Sequence, residues 1–375
     1  MQEAVSATAV DHVVKSAKAL RDEGRPDLAA DLLSREADLA SAKADFLYLS
    51  LLIALDDNAP LQAALVRSLE RLPPQALIPA PYLKLLFRHA ERCCLPDARL
   101  ELVLPKGWRS AKRDPELAGV LRAASRRLTL RRRLRSWCAS RASLVSLGLN
   151  CMPWSVPNHW GLRRIEDFVD LHGPFDHGAN KLQLVMRALE SDFTDYCTGE
   201  DISSVETNGG HLTPIRKDVG AVWNHHLGAY WVSDDFQRLR QTMARQAQNF
   251  REACRRDDVV FIMGKAPIDY PARPLGFLER LNHALERHTG QSHNRIILLN
   301  EYAQSAASRW ADDWTLVVNC PYPQASYLWY EDETADTPEG MEYERGWIAQ
   351  VLAGLMRWGL AERGDAQSAP LASVN

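Results

Sequence analysis

The sequence predicts an α/β protein: a mainly parallel sheet covered by helices in three layers, preceded by an all-α domain of helical hairpins. Three observations carry that expectation. The chain has 375 residues, enough for two domains at roughly 150 residues each. Its first 125 residues show only helical periodicity, interrupted by short polar or Pro-containing breaks. Beyond about residue 140, near-continuous apolar runs alternate with amphipathic segments, the pattern of buried parallel strands and their crossover helices. The expected division is a helical domain at 1–125, a basic linker at 126–140, an α/β domain at 141–362 and a flexible tail at 363–375.

Residues 5–23 read as the first helix, stopped at Gly24. Pro26 opens the next, in the first turn where its missing N–H costs least, and Ala29, Ala30, Leu32 and Leu33 give that helix an apolar face. Residues 42–55 are apolar nearly all round, so this helix is expected to be central. Asp56-Asp57-Asn58-Ala59-Pro60 breaks the chain before a helix at 61–72, and Pro73-Pro74 and Pro79-Ala80-Pro81 break it again. Leu20, Gly24 and Ala29 have a tetratricopeptide-like spacing, but no second copy follows at that repeat's period, so a bundle or cap of αα-hairpins is expected. Such domains commonly bind protein partners. Arg126, Arg127, Arg131, Arg132, Arg133 and Arg135 read as a solvated basic face at the domain junction. A nucleic-acid partner is disfavoured, because the net charge is -3 and no aromatics interleave with the arginines. Strands are expected at 142–148, 258–264, 295–300 and 314–319, with helices at 181–193, 236–255, 275–288 and 343–360.

Composition removes other classes. With 46% hydrophobic and 25% charged residues the chain buries a core and is not disordered. No run of about 18 uncharged apolar residues is present, so no membrane span is expected. Glu3, Asp11 and Lys15 stand where a secretory signal would have a basic start and an apolar stretch. Seven cysteines, without a CxxC pair, read as free thiols in the cytoplasm rather than a disulfide scaffold or a zinc site. The phosphate-loop, dinucleotide and serine-elbow motifs are absent, so no cofactor is expected.

The chemistry is expected after residue 150. Nine of the eleven histidines fall between His159 and His293. In Ser146-Leu147-Gly148-Leu149-Asn150-Cys151 a buried strand ends at Gly148 and a thiol follows at a turn or helix start. That placement presents Cys151 at the ligand-binding rim of a parallel sheet, where backbone N–H groups would lower its pKa and hold an oxyanion. His159, His172, His177, His211, His225 and His226 are candidate bases. His225 and His226 follow 221–224, read as an edge strand, and alternation turns only one of them toward the site. Asp176 is placed to orient an imidazole, with Asn319 and Asp269 as further candidates. No His-x-x-x-His or fixed carboxylate spacing accompanies these residues, so no metal is expected. Asn150, Met152, His177, Trp223, Asn224 and His226 complete the candidate oxyanion and substrate contacts, and Trp154, Trp160 and Tyr230 are candidate pocket walls.

The run Val145-Ser146-Leu147-Gly148-Leu149-Asn150-Cys151 resembles the SLGxxC signature of a bacterial family of uncharacterised domains described as candidate papain-like cysteine peptidases. Gly161-Leu162-Arg163-Arg164, Pro174-Phe175-Asp176, Leu189-Glu190-Ser191-Asp192-Phe193 and Trp223-Asn224-His225-His226-Leu227 resemble later blocks in that family's order. The resemblance covers about 143–265 well and extends to about 360, and it implies Cys151 as nucleophile and His225 as base, with Asp176 matching a family aspartate. Two positions depart: His177 replaces a Trp, and His226 replaces an Asp that would polarise the site. A fainter similarity is to capsule-polysaccharide biosynthesis proteins that resemble acyltransferases. The expected function is cysteine-dependent acyl transfer, hydrolysis of an amide or thioester or transfer to an acceptor, on a peptide, glycan or small molecule. The alternatives are a glycan-modifying transferase with a structural Cys151, and a non-catalytic binding module with a degenerate site.

Overall fold

The computed structural model describes the chain except residues 1, 36–40, 72–79, 113, 165, 198–200, 208–209, 219, 265–273, 302, 304–306 and 365–375. It is a mixed α/β protein with two compact units. Among the described residues no helix is long and apolar enough to cross a membrane.

The first unit comprises 1–125 with two later segments, 204–214 and 225–238. Its helices are α1 (Gln2–Asp22), α2 (Pro26–Arg35), α3 (Ala42–Ala54), α4 (Asn58–Arg71), α5 (Ala80–Arg92), α6 (Asp97–Ala111) and the start of α7 (Pro115–Trp137). Consecutive helices pack on one another, and α3 touches α1, α2, α4 and α5. Its all-round apolar sequence therefore has the central role it implied, with Leu47, Leu49, Leu51 and Leu52 buried. Each fully buried Leu contributes about 1.5–3 kcal/mol.

The later segments were expected inside the α/β domain. His226 and Trp231 explain why 225–238 belongs with the helices. The buried His226 Nε2 lies 3.2 Å from Asp56 Oδ2 at the α3–α4 turn, and its ring meets Trp231 edge-on at 4.5 Å. Trp231 Nε1 donates to Ala54 O at 3.0 Å.

The second unit comprises 126–203, 215–224 and 239–375. The stretch expected as a basic linker is instead the second half of α7 followed by β1 (Cys138–Ser140). It is not a uniformly solvated face either: Arg131 is fully buried, and Arg127 is buried in an ion pair with Asp336. After β2 (Ser143–Ser146) come α8 (Met152–His159), α9 (Asp167–Asp170), β3 (Ala179–Asn180) and α10 (Leu182–Glu190). Then follow β4 (Ile202–Glu206) and β5 (Leu212–Arg216), which run partly through the first unit's 204–214, β6 (Ala221–Val222), α11 (Ala229–Val232) of the first unit, and α12 (Gln237–Ala253). The chain continues through β7 (Val259–Met263), α13 (Pro274–Thr289), β8 (Ile296–Asn300), β9 (Arg309–Trp310) and β10 (Thr315–Asn319). It ends in α14 (Asp332–Ala335), α15 (Pro338–Arg357) and β11 (Ala361–Arg363).

The main sheet has the order β2-β7-β8-β10-β9. β2, β7, β8 and β10 are parallel, in registers that include Val145↔Phe261, Ile262↔Ile297 and Leu298↔Val317, and β9 is antiparallel. The parallel strands coincide with the four apolar runs, and β2, β7 and β8 are buried along their whole length. Their carboxyl ends therefore share one rim. A smaller sheet has the order β3-β6-β5-β4, so β6 is internal rather than the edge strand expected, and it stops at Val222. Of the expected tail, Arg363 is in β11 and pairs with Cys138, and 365–375 lie outside the described residues.

Candidate active site

β2 delivers its last residues to the rim, and two successive left-handed residues, Gly148 (φ 71°) and Leu149 (φ 65°), turn the chain there. A Cβ on Gly148 would sit 2.9 Å from Phe175 Cβ, so only glycine fits. Leu149 has no such excuse and stores about 1–2 kcal/mol of backbone strain, of the kind that gathers at functional sites. Cys151 then caps α8, with Pro153 in its first turn. The helix start expected from the sequence is present.

The expected depression of the thiol pKa is not. Cys151 is 5% exposed, and burial pushes its thiol up to about 12; a backbone hydrogen bond at Gly178 acts the other way and the Asp176 carboxylate adds to the rise. Two positions at the helix start offer the thiol no donor. Met152 N–H donates to Asn150 Oδ1 at 3.1 Å, and Pro153 has no N–H. The same bond occupies the Met152 donor expected for an oxyanion. Cys151 Sγ lies 3.7 Å from Gly178 O.

Asp176 is fully buried. Its Oδ2 accepts Gly173 N–H at 2.6 Å and lies 3.4 Å from His172 Nδ1. His172 Nε2 is 2.8 Å from Gln246 Nε2; the amide nitrogen donates here, so the imidazole accepts at Nε2 and carries its proton on Nδ1. Asp176 thus lies beside the His172 ring. The His172 ring packs at 4.5 Å from His177, and Trp154, one turn along α8 from Cys151, contacts both rings at 5.1 and 6.2 Å. Arg163 lies 4.0 Å over the Trp154 ring. Cys151, Trp154, Arg163, His172, Asp176 and His177 therefore gather within the second unit. Phe175 anchors the segment by packing on Phe193, Tyr196 and Phe250, and Tyr196 Oη donates to Pro174 O at 2.7 Å.

No protein-family model, curated protein or solved structure matches this chain. The chemistry is read from the residues themselves.

His225 is exposed, lies in a turn beyond β6 rather than on a strand, and belongs to the first unit. Asn224 is exposed, and His226 is committed to Asp56 within the first unit. Trp154, Trp160 and Trp223 are enclosed side chains rather than open pocket walls; Trp223 packs on Tyr196 at 6.1 Å, and Trp160 Nε1 donates to Glu344 at 2.7 Å. Tyr230 is half-buried in the first unit. Asn319 accepts from Asn300 at 3.1 Å and stays with the sheet, and Asp269 lies outside the described residues.

Sequence reasoning missed Glu301. It is 4% exposed at the end of β8, accepts Asn150 Nδ2 at 3.4 Å and is bonded by the Tyr322 hydroxyl. A charged residue directly after an apolar parallel strand was the available signal.

Proposed function

We propose that the chain is a cysteine-dependent acyl-transfer enzyme. The supporting observation is the strained turn that ends a parallel strand and sets Cys151 at the start of α8, with a buried His–Asp pair in the same unit. In this reading Cys151 Sγ attacks a carbonyl carbon, and its proton passes to a histidine and on to the leaving group. The resulting acyl-thioester is released by water, or by an acceptor hydroxyl or amine, and the thiol regains a proton. Because burial keeps the thiol neutral at rest, proton removal accompanies attack, as with a serine hydroxyl, rather than preceding it.

The resemblance nominates His225 as the base. His177, beside Gly178, is the candidate from the second unit, with His172 and Asp176 behind it. The reading includes a three-layer α/β domain, a cytoplasmic location, a peptide, glycan or small-molecule substrate, and a protein partner for the N-terminal helices. A second reading, a binding module with a silent site, is favoured by the 5% exposure of Cys151.

Trapping with p-nitrophenyl acetate followed by peptide mass spectrometry separates the two. The enzyme reading expects acetylation concentrated on Cys151, with p-nitrophenol release lost in Cys151→Ala. It also expects release to fall by at least about 10²-fold in whichever of His225→Ala and His177→Ala removes the base. Uniform labelling of surface lysines, unchanged by Cys151→Ala, would leave the binding module standing.

A further inference from the structure

β7 lies between β2 and β8 in the sheet, so a side chain in the turn after β2 and one directly after β8 must reach past it to meet. They do so over a gap. β7 is followed by Gly264, where an added Cβ would lie 2.9 Å from Asn150 Oδ1 and 3.1 Å from the Pro153 ring. Through that gap runs a directed chain of hydrogen bonds. Tyr322 Oη donates to Glu301 Oε2, Asn150 Nδ2 donates to Glu301 Oε1 at 3.4 Å, and Met152 N–H donates to Asn150 Oδ1 at 3.1 Å. The carboxylate accepts only, so it fixes which end of the Asn150 amide faces it. The carboxamide oxygen is left for the first N–H of α8.

We propose that Glu301 is a positioning residue for Cys151, holding the Asn150 side chain so that it covers the Met152 N–H at the start of α8. The proposal rests on the reading of Cys151 as the reacting group, but its test needs no substrate. Without Glu301 the Asn150 amide is free to turn, and Met152 N–H adds its uncompensated partial positive charge to the start of α8, next to Cys151. Positive partial charge at a helix start favours a thiolate. Glu301 is therefore a brake on the resting thiol, acting across the sheet without touching sulfur.

The experiment is iodoacetamide alkylation of the folded full-length chain at several pH values from 7.5 to 9.5, read peptide by peptide. Cys197 and Cys254, both buried in the same unit, are internal controls. Glu301→Ala and Asn150→Ala are each expected to speed Cys151 by about threefold or more. The double variant is expected to be no faster than the faster single, because both remove one linkage. Glu301→Gln keeps an acceptor oxygen for Asn150 and is expected to return the rate close to wild type. Equal acceleration of Cys197 and Cys254 would show general loosening and overturn the proposal. Additive effects in the double variant would overturn it too, as would an unchanged Cys151 rate in Glu301→Ala. Failure of acetyl trapping at Cys151 would remove the enzyme reading and leave this coupling intact.

Discussion

The resting state of Cys151 gives the sharpest number. An ordinary thiol titrates near 8.5, so at pH 8 roughly a quarter of it is thiolate. Burial pushes the Cys151 thiol up to about 12, which leaves roughly one molecule in 10⁴ ionised at that pH. Ionisation alone then slows alkylation by more than about 10³-fold relative to the unfolded chain, and the 5% exposure of the side chain slows it further. The perturbation is urea: iodoacetamide is added at pH 8 to the native chain and to the chain in 8 M urea, a concentration chosen as roughly the practical maximum for full unfolding. Labelling of the Cys151 peptide is followed by mass spectrometry. A native rate within about tenfold of the unfolded rate would refute the argument, and with it the view that proton removal accompanies attack. A native rate that levels off below pH 8 would do the same, since it would reveal a thiolate already paired at rest.

The same shift has consequences for stability. Burial raises Cys138 to about 11, Cys151 and Cys197 to about 12, and Cys254 and Cys320 further. The unfolded chain loses these protons near pH 8.5 while the folded chain keeps them, so stability is full below that pH and falls as pH rises toward the folded values. Each thiol contributes a fall of about 1.4 kcal/mol per pH unit, which thermal melts between pH 8 and 10.5 would reveal, with a shallower slope in Cys254→Ala. Asp56→Ala removes the group hydrogen-bonded to the buried His226 Nε2 and is expected to cost about 1–3 kcal/mol, read by chemical denaturation; an unchanged stability would show the contact to be incidental. Gly148→Ala sets a Cβ 2.9 Å from Phe175 at φ 71° and is expected to cost more than about 1 kcal/mol, whereas Gly276→Ala, with open space around it inside α13, is expected to be neutral or mildly stabilising.

The fold was legible where one physical effect dominated. Buried parallel strands need apolar residues on both faces, so the runs at 143–146, 259–263, 296–300 and 315–319 announced themselves, and so did α3, apolar on all sides. The affiliation of 225–238 was not legible, because it depends on contacts of His226 with Asp56 and Trp231 with Ala54, 170 or more residues apart in the chain. Arg131 misled for a related reason: in sequence it is one of a run of cations, and only packing shows that it and Arg127 are buried while Arg126, Arg132, Arg133 and Arg135 are exposed.

The site divides along the same line. Cys151 was found because strand, glycine, turn and helix start are consecutive, and local geometry is written locally. Its pKa was misjudged because helix-start donors are a local feature and burial is not. Glu301 lies 150 residues further on, and nothing in its own neighbourhood separates it from an ordinary charged residue at a strand end. Its meeting with Asn150 is set by sheet order, which places β8 two strands from β2, about 10 Å away. That span is within reach of an Asn and a Glu side chain only if the strand between them contributes no side chain at the rim. Gly264 is the residue that satisfies this condition, and in the sequence it reads merely as the end of a strand. A glycine just beyond a central parallel strand, with a polar residue just beyond one neighbouring strand and another in the turn after the other, is therefore the pattern by which such a cross-sheet linkage can be sought from sequence once strand order is known.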